Sequence, residues 1–262
     1  MKIFNRYLKI WWKMSRNSFL AVLLQRSAFT IFLIGKVLRF VFFLGFIFFL
    51  LKGTKSLAGY NLNQTLLFFL TFNLIDVISQ FLFREVYRFR PLVVSGGFDL
   101  VLTKPISALF RSLMGGADII DFATIPPLII AVIYVGGLLN PLPVQVFYYM
   151  LLVLNGLVIA SAFHIFVLGL GIITLEIDHT IMIYRDLSAL GRFPIDIYKE
   201  PLKGIITFLI PIGVMFTFPV KSLVGLLSFG GVIWSVGLGV LVLFLSLKFW
   251  NFALKKYTSA SS

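Results

Sequence analysis

Cysteine is absent from the 262 residues of this chain, and histidine occurs only twice. Without a thiol, the chain has no disulfide, no thiolate metal site and no cysteine nucleophile. His164 lies in a long apolar run, where packing or a hydrogen bond explains a histidine more simply than a ligand role does. His179 follows Glu176 and Asp178 in a polar stretch, and one histidine with loop carboxylates is weak support for a metal. We therefore predict no metal site.

Charged residues are also scarce, and acidic residues are the scarcest. Only 13% of the chain is charged, whereas soluble domains carry roughly 25%. Hydrophobic residues make up 60%, with 30 Phe, and the mean hydropathy is +1.02. The net charge of +13 comes from 23 Lys and Arg against 10 Asp and Glu. Because the basic residues are confined to short segments between apolar runs, we expect membrane lipids and no nucleic acid as partners.

The sequence motifs of common enzymes are missing as well. The string nearest to the phosphate-binding G-x-x-x-x-G-K-[ST] motif is Gly53-Thr-Lys-Ser56, which lacks the required spacing. Neither H-E-x-x-H nor G-x-S-x-G occurs, so an intramembrane hydrolase has little support. We predict no catalytic residue and no cofactor on this chain, and therefore no enzymatic activity of its own.

What the chain does contain is six apolar runs, and most have the length of about twenty residues that a membrane-spanning helix needs. The third contains Pro126-Pro127, which we expect to kink it. The fourth is long enough that it must tilt, break near Gly169 and Gly171, or project from the membrane. The fifth is short and contains Pro211, which suggests a re-entrant or partly inserted helix. The predicted spans are residues 29–51, 62–83, 119–139, 144–175, 204–218 and 226–249.

The N-terminal segment has the pattern of a helix that lies on a membrane surface. Its basic residues recur every three or four positions, and Ile3, Tyr7, Trp11 and Met14 recur with the same spacing on the opposite face. Basic residues opposite aromatic ones are typical of a helix on an anionic leaflet. We therefore predict an all-α membrane protein with an interfacial helix at 1–28, a six-span domain at 29–250 and a cytoplasmic tail at 251–262.

The distribution of Lys and Arg predicts the orientation of these spans. Eighteen fall on one side: six before the first span, five after the second, four after the fourth and three at the C-terminus. The other side has only Lys52, Lys55 and Lys221. Since cytoplasmic loops retain Lys and Arg, both termini are predicted to be cytoplasmic. The segments 84–118 and 176–203 are then cytoplasmic too.

Several polar residues are predicted inside the spans. Lys36 and Arg39 lie in the first half of span one, where they either snorkel to the interface or face the bundle. Asn73, Asp76 and Gln80 share one face of span two. Asp76 either pairs with Lys36 or Arg39 as a structural group or takes part in transport. The candidates for a transport pathway are Asn73, Asp76, Gln80 and Pro211.

The segment 84–118 interrupts the apolar pattern with about thirty mixed residues. Asp99 and Lys104 flank the apolar Leu100-Val-Leu102, which makes a short amphipathic element with polar ends. Glycines precede this element and Pro105 ends it. We predict that it docks a soluble partner, with Gly97, Asp99, Leu100, Leu102, Lys104 and Pro105 as the coupling residues.

Two motifs in these segments resemble a known family. The string from Gly97 to Pro105 resembles the G-x-[LFI]-D-x-x-L-x-[KR]-P segment of ABC type-2 permeases. The string from Gly191 to Tyr198, followed by Pro211, is similar to the R-[FY]-P-[IVL]-[DE]-[IV]-[FY] … IP pattern of six-span bacterial permeases of the drug-resistance type. The residues of this second cytoplasmic motif are Arg192, Pro194, Asp196 and Tyr198.

This resemblance implies a permease subunit in a bacterial plasma membrane. It implies two permease chains, identical or paired homologues, with two separate ATPase subunits that bind ATP and Mg²⁺. It also implies export, and the composition suits a hydrophobic or amphiphilic cargo such as a drug, a lipid or a lipid-linked glycan. Two alternatives remain open from the residues alone. One is a secondary transporter or channel that uses Asp76 as an ion or proton relay, and the other is a membrane scaffold.

Overall fold

The computed structural model describes residues 2–175 and 177–258, and for Lys2 it describes the backbone alone. The last four residues of the predicted tail and Glu176 therefore lie outside the described residues. The described part of the chain is mainly helical and contains no β-strand. The α-helices are α1 Lys2–Leu23, α2 Arg26–Thr54, α3 Leu62–Phe83, α4 Phe89–Val94, α5 Gly97–Leu102, α6 Ala108–Leu113, α7 Ile119–Gly137, α8 Pro143–Thr174, α9 Ile177–Ala189, α10 Leu202–Gly204, α11 Phe218–Leu223 and α12 Phe229–Lys256.

Five of the six predicted spans are confirmed as long apolar helices, namely α2, α3, α7, α8 and α12. Their starts follow from local chemistry. Asn61 caps α3 by accepting from the backbone of Gln64, whose side chain accepts from Asn61 in return. The side chain of Asp118 accepts from the second residue of α7, and Ser228 caps α12 in the same way.

Helix α8 runs without a break for 32 residues, about 48 Å of rise. Of the three alternatives for this span, the break near Gly169 and Gly171 does not occur. Both glycines instead lie at close contacts with other elements. A Cβ on Gly169 would lie 2.8 Å from the ring of Phe249 in α12, and one on Gly171 would collide with Ile177. The helix therefore forms a continuous central rod against which α12, α3 and α9 pack.

The two ends of the bundle are formed by different helices and loops. Helices α4 to α6 lie at one end, which we call the coupling end. Helix α1 also lies there, because Tyr7 packs on Phe110 and Ser15 accepts from the backbone of Ala117. The end of α12 joins them through Trp250, which contacts Phe98. Both described chain ends are thus at the coupling end.

The fifth predicted span, 204–218, does not cross the bundle. The segments Leu202–Leu209 and Gly213–Leu223 meet at an angle of 78°. Lys203 and Lys221, from the two arms, both bind Asp196, at 2.9 and 2.7 Å. Both arms therefore begin and end at the same level, and the segment is a re-entrant hairpin. Two π-helical turns, Ile205–Leu209 and Gly213–Thr217, lie on either side of the bend of the hairpin.

The assignment of all of 176–203 to the cytoplasm is wrong for its second half. Helix α9 starts at the coupling end, where Asp178 lies 3.2 Å from Arg90. The chain then runs alongside α8 to the opposite end, where Asp196 accepts a hydrogen bond from Tyr60. Since Lys221 also binds Asp196, these groups cannot lie on opposite sides of a membrane. The fifth crossing is made by α9 and the turns that follow it.

The correction leaves the charge asymmetry in place. Lys199 and Lys203 move to the opposite end, which then holds five Lys and Arg, and Arg185 and Arg192 move into the bundle. The coupling end keeps fourteen: six up to the start of α2, five in the segment after α3 and three near the end of α12. The prediction that both termini are cytoplasmic therefore still follows from the positive-inside rule.

Candidate functional site

A cavity of about 240 Å³ opens between α2, α3, α7 and α9. Each helix contributes side chains at helical spacing, so one face of each helix points inward. On α2 these are Lys36, Arg39, Phe40 and Phe43, and on α3 they include the predicted pathway candidates. The predicted residues that line it are Lys36, Arg39, Asn73, Asp76 and Gln80, and the residues contributed by α9 and the turn after it are Arg185, Ser188 and Arg192.

The predicted pathway residues on α3 are held by local hydrogen bonds. Gln80 donates to the Asp76 carboxylate at 2.6 Å, and Asn73 donates to the backbone carbonyl of Phe69 at 2.7 Å. Pro211 is apart from them. It lies buried at the bend of the re-entrant hairpin and is not among the residues that line the cavity.

Lys36 is paired, but not with Asp76. Its ammonium binds the carboxylate of Asp121, in the first turn of α7. The side chains are 18% and 5% exposed, so the pair is nearly buried. Lys36 therefore faces the bundle, and its ion pair is with Asp121 and not with Asp76. Sequence reasoning missed Asp121, although its place inside the third predicted span was a usable signal.

Arg192 lies between aromatic rings in the cavity wall. Its guanidinium carbon is 6.0 Å from the ring centre of Phe43 and 5.8 Å from that of Phe72. These are distances at which a cation is attracted by the face of an aromatic ring. Phe43 in turn stacks on Phe69. Arg192 was predicted as part of a cytoplasmic motif, and the structure places it inside the bundle instead.

Three of the basic residues lack an acidic partner. Among the described residues, no carboxylate lies within 4.0 Å of Arg39, Arg185 or Arg192. Arg39 and Arg185 are exposed in the single chain, whereas Arg192 is half-buried. The cavity is therefore open at the side between α2 and α9. Of the acids in the part of the chain that the structure describes, Asp76 alone lines it.

The other residues of the second motif stabilise the opposite end. Asp196 accepts from Tyr60, Lys203 and Lys221. Burial alone would raise the pKa of Asp196, but the hydrogen bonds from the two lysines outweigh it and lower the pKa to about 2. Tyr198 donates to the carbonyl of Leu190 at 2.9 Å, and this bond closes the turn after α9. Pro194 is buried in that turn.

The predicted coupling residues lie together on α5 and the turn after it. Gly96 has φ +73°, a left-handed conformation that glycine adopts without strain, and it turns the chain from α4 into α5. Leu100 is 67% exposed and Leu102 is 42% exposed. Lys104 and Pro105 are exposed beside them. We call Leu100, Leu102, Lys104 and Pro105 the coupling surface.

The opposite face of α5 is buried. Phe98 and Val101 are almost fully enclosed, and the ring of Phe98 packs against Trp250 and Tyr257 at the end of α12. Burial raises the pKa of the Tyr257 phenol, and the neighbouring Asp99 carboxylate raises it further. The turn itself is held by α1, since Arg6 donates to the carbonyl of Pro105 at 2.9 Å.

The arrangement offers groups for ion pairing and for docking. In the described parts of the chain, no three histidine or carboxylate side chains gather closely enough to hold a metal ion. The charged groups of the cavity suit recognition of an anion, and the coupling surface suits contact with another protein.

Comparison with known proteins agrees with this architecture. No curated protein and no solved structure matches the chain. A family model described as ABC-2 family transporter protein matches residues 37–261. The match begins beside the cavity residues of α2 and extends past the end of α12. The chain belongs to the ABC-2 transporter family and is a multi-pass membrane permease subunit.

Proposed function

We propose that this subunit exports a hydrophobic or amphiphilic compound and is driven by a separate ATPase subunit docked on the coupling surface. The observation that carries the proposal is the two-sided character of α5. Leu100 and Leu102 point away from the protein, while Phe98 and Val101 anchor the helix to it. A partner protein can bind the exposed leucines. Because the other face of the helix is anchored, the partner can then displace the helix without unfolding it.

The anchor of α5 connects the coupling surface to the cavity. Phe98 touches Trp250 of α12, and α12 packs along α8 through Phe249 and Gly169. The neighbouring Arg90 binds Asp178 at the start of α9. Because α9 carries Arg185 into the cavity, a displacement of α4 and α5 moves a wall of the cavity.

A second permease chain completes the proposed transporter. Helix α2 contributes little to the core, and large apolar side chains on its outer face are exposed. Arg39 and Arg185 are exposed at the neighbouring opening of the cavity. A second copy, or a paired homologue, on this side encloses the pathway between the two chains. The exposed apolar residues of α2 include Ile31, Phe32, Phe42, Phe46 and Phe49.

The test is to change the charged ends of the coupling element and follow both the ATPase partner and transport. With Asp99→Ala/Lys104→Ala, the chain purified from its own membranes should bring with it at most a tenth of the ATPase activity that co-purifies with the wild type, or the complex should lose ATP-driven transport. The matched control is Lys199→Ala/Asp186→Ala, an exposed base and acid away from α5 that form no ion pair among the described residues, and it should leave both unchanged.

Two results would contradict the proposal. The first is full ATPase recovery together with full transport in the coupling variant. The second is transport that needs no ATPase, follows a proton gradient and is abolished by Asp76→Asn. The second result would favour the secondary-transporter alternative, in which Asp76 relays the ion.

A further inference from the structure

The charges that surround the cavity are not explained by structural pairing. Lys36 is neutralised by Asp121. Arg39, Arg185 and Arg192 remain, and among the described residues the only acid that lines the cavity with them is Asp76. Its carboxylate already accepts from Gln80. Three arginines and one aspartate leave an excess of positive charge at this place in the bundle.

The arginines of the cavity lie within the helices of the bundle. Arg39 is the fourteenth residue of the 29-residue α2 and lies one turn beyond Lys36, whose partner Asp121 is in the first turn of α7. Arg192 is packed between Phe43 and Phe72. Charged side chains within membrane-spanning segments are rare, and they mark pathways when no internal partner neutralises them.

We propose that Arg39, Arg185 and Arg192 bind the anionic head group of an amphiphilic substrate, an inference that rests on the proposed transport function. A guanidinium forms paired, charge-assisted hydrogen bonds with phosphate or carboxylate oxygens. Three guanidinium groups around one cavity give an anion several such donors. Asp76 and Gln80 complete the polar wall and accept or donate to neutral hydroxyls of the same head group.

The aromatic part of the cavity defines the rest of the substrate. Phe40 and Phe43 of α2 stack on Phe69 of α3, with ring centres 5.5 and 4.4 Å apart. These rings form an apolar surface next to the arginines. The cavity volume of about 240 Å³ exceeds the ~150 Å³ of a cavity that binds benzene, so it is large enough for a head group. A long alkyl or isoprenyl tail need not enter it.

The side opening allows such a tail to stay in the membrane. Arg39 and Arg185 are exposed at the gap between α2 and α9. An amphiphile can therefore bring its head group into the cavity laterally while its tail remains among lipid chains or between the two permease chains. A small soluble anion has the same head-group chemistry but gains nothing from the aromatic surface.

The test measures ligand-dependent thermal stabilisation of the full chain in a neutral detergent. The probes are phosphatidic acid, phosphatidylcholine with the same acyl chains, and inorganic phosphate. We expect phosphatidic acid to raise the Tm of the wild type by several degrees at a concentration at least tenfold lower than phosphatidylcholine requires. Arg39→Gln/Arg185→Gln/Arg192→Gln should abolish this difference. Should the triple variant fail to fold, each single Arg→Gln variant should weaken the response several-fold.

The matched control removes three positive charges from α1 by Lys9→Gln/Lys13→Gln/Arg16→Gln, and it should keep the phosphatidic acid response. A response lost in this control but kept in the cavity variant would overturn the proposal, because the lipid would then be bound at the surface. An equal response to inorganic phosphate, lost in the cavity variant, would support the anion site but overturn the amphiphilic substrate. The thermal-stability measurement needs no ATPase subunit. The proposed transport function is tested separately, by the ATPase activity that co-purifies with the chain.

Discussion

At the scale of single residues, charged side chains decide more of this structure than their number suggests. Lys36 and Asp121 form a nearly buried pair between α2 and α7. Asp196 ties the loop before α3 to the turn after α9 and to the re-entrant hairpin, through Tyr60, Lys203 and Lys221. Each group joins elements far apart in sequence, so each fixes tertiary structure.

Replacement of Asp196 by Asn should destabilise the opposite end of the bundle. The folded-state pKa of about 2 lies below the ordinary value of about 3.9. The ionised carboxylate therefore stabilises the fold above pH 4, and this contribution is lost as the pH falls towards 2. At pH 7 we expect a loss of about 1–2 kcal/mol, because screening at a partly exposed group reduces the effect.

Thermal unfolding in detergent at pH 7, 5, 4 and 3 measures this effect. The Tm difference between wild type and Asp196→Asn should shrink below pH 4. Asp186→Asn is the control, because Asp186 is exposed on α9 and has no ion-pair partner among the described residues. A Tm difference that stays constant from pH 7 to pH 3 would show that the lysines do not stabilise the ionised form.

At the scale of elements, the re-entrant hairpin and α8 fit together through a glycine. A Cβ on Gly156 of α8 would lie 2.7 Å from the backbone carbonyl oxygen of Met215, in the second arm of the hairpin. The backbone of Met215 cannot rotate away from such a Cβ, as a flexible side chain could. The irregular backbone of the hairpin is tolerated at this depth because protein covers it, and Gly156 allows the required close approach.

Gly156→Ala should therefore push the hairpin away from α8 and destabilise the fold. We expect a loss of about 1–3 kcal/mol from overpacking, against the small gain that alanine usually brings to a helix. The control is Gly237→Ala in α12, where a Cβ meets nothing within 4 Å and where Tm should stay equal or rise. Unfolding of both variants under identical detergent conditions decides the matter, and equal Tm values would contradict the close contact.

At the scale of the whole molecule, the path of the chain through the bundle separates two ends with different tasks. The coupling end carries α1, the coupling surface and most of the basic residues. The opposite end is closed by the Asp196 cluster and the hairpin. The cavity lies between them and opens sideways between α2 and α9. This division fits the proposed function, in which an ATPase subunit acts at one end and cargo leaves at the other.

The absence of native cysteine allows a direct test of this path. Single cysteines introduced as Lys104→Cys and Lys199→Cys both lie at exposed positions. An impermeant maleimide should label Lys199→Cys in intact cells and Lys104→Cys only after permeabilisation. Lys55→Cys serves as the reference for the outer side. Protection of Lys199→Cys in intact cells, like that of Lys104→Cys, would place the 176–203 segment back in the cytoplasm.

The sequence by itself determined the class of the protein, five of its spans and the position of the short amphipathic helix α5. These features depend on local signals, namely apolar length, capping residues such as Asn61 and the glycines before α5. Apolar length acts within one helix, and caps act within one turn. The composition of a segment is therefore sufficient to reveal them.

Only the tertiary structure decided which way the 176–203 segment runs and which charges meet. Its four basic and five acidic residues have the composition of a solvated loop. Folded beside α8, however, Arg185 and Arg192 face a cavity and Asp196 binds two lysines. Burial of a charge depends on partners that lie far along the chain. No window of sequence contains both Lys36 and Asp121, and only packing brings them together.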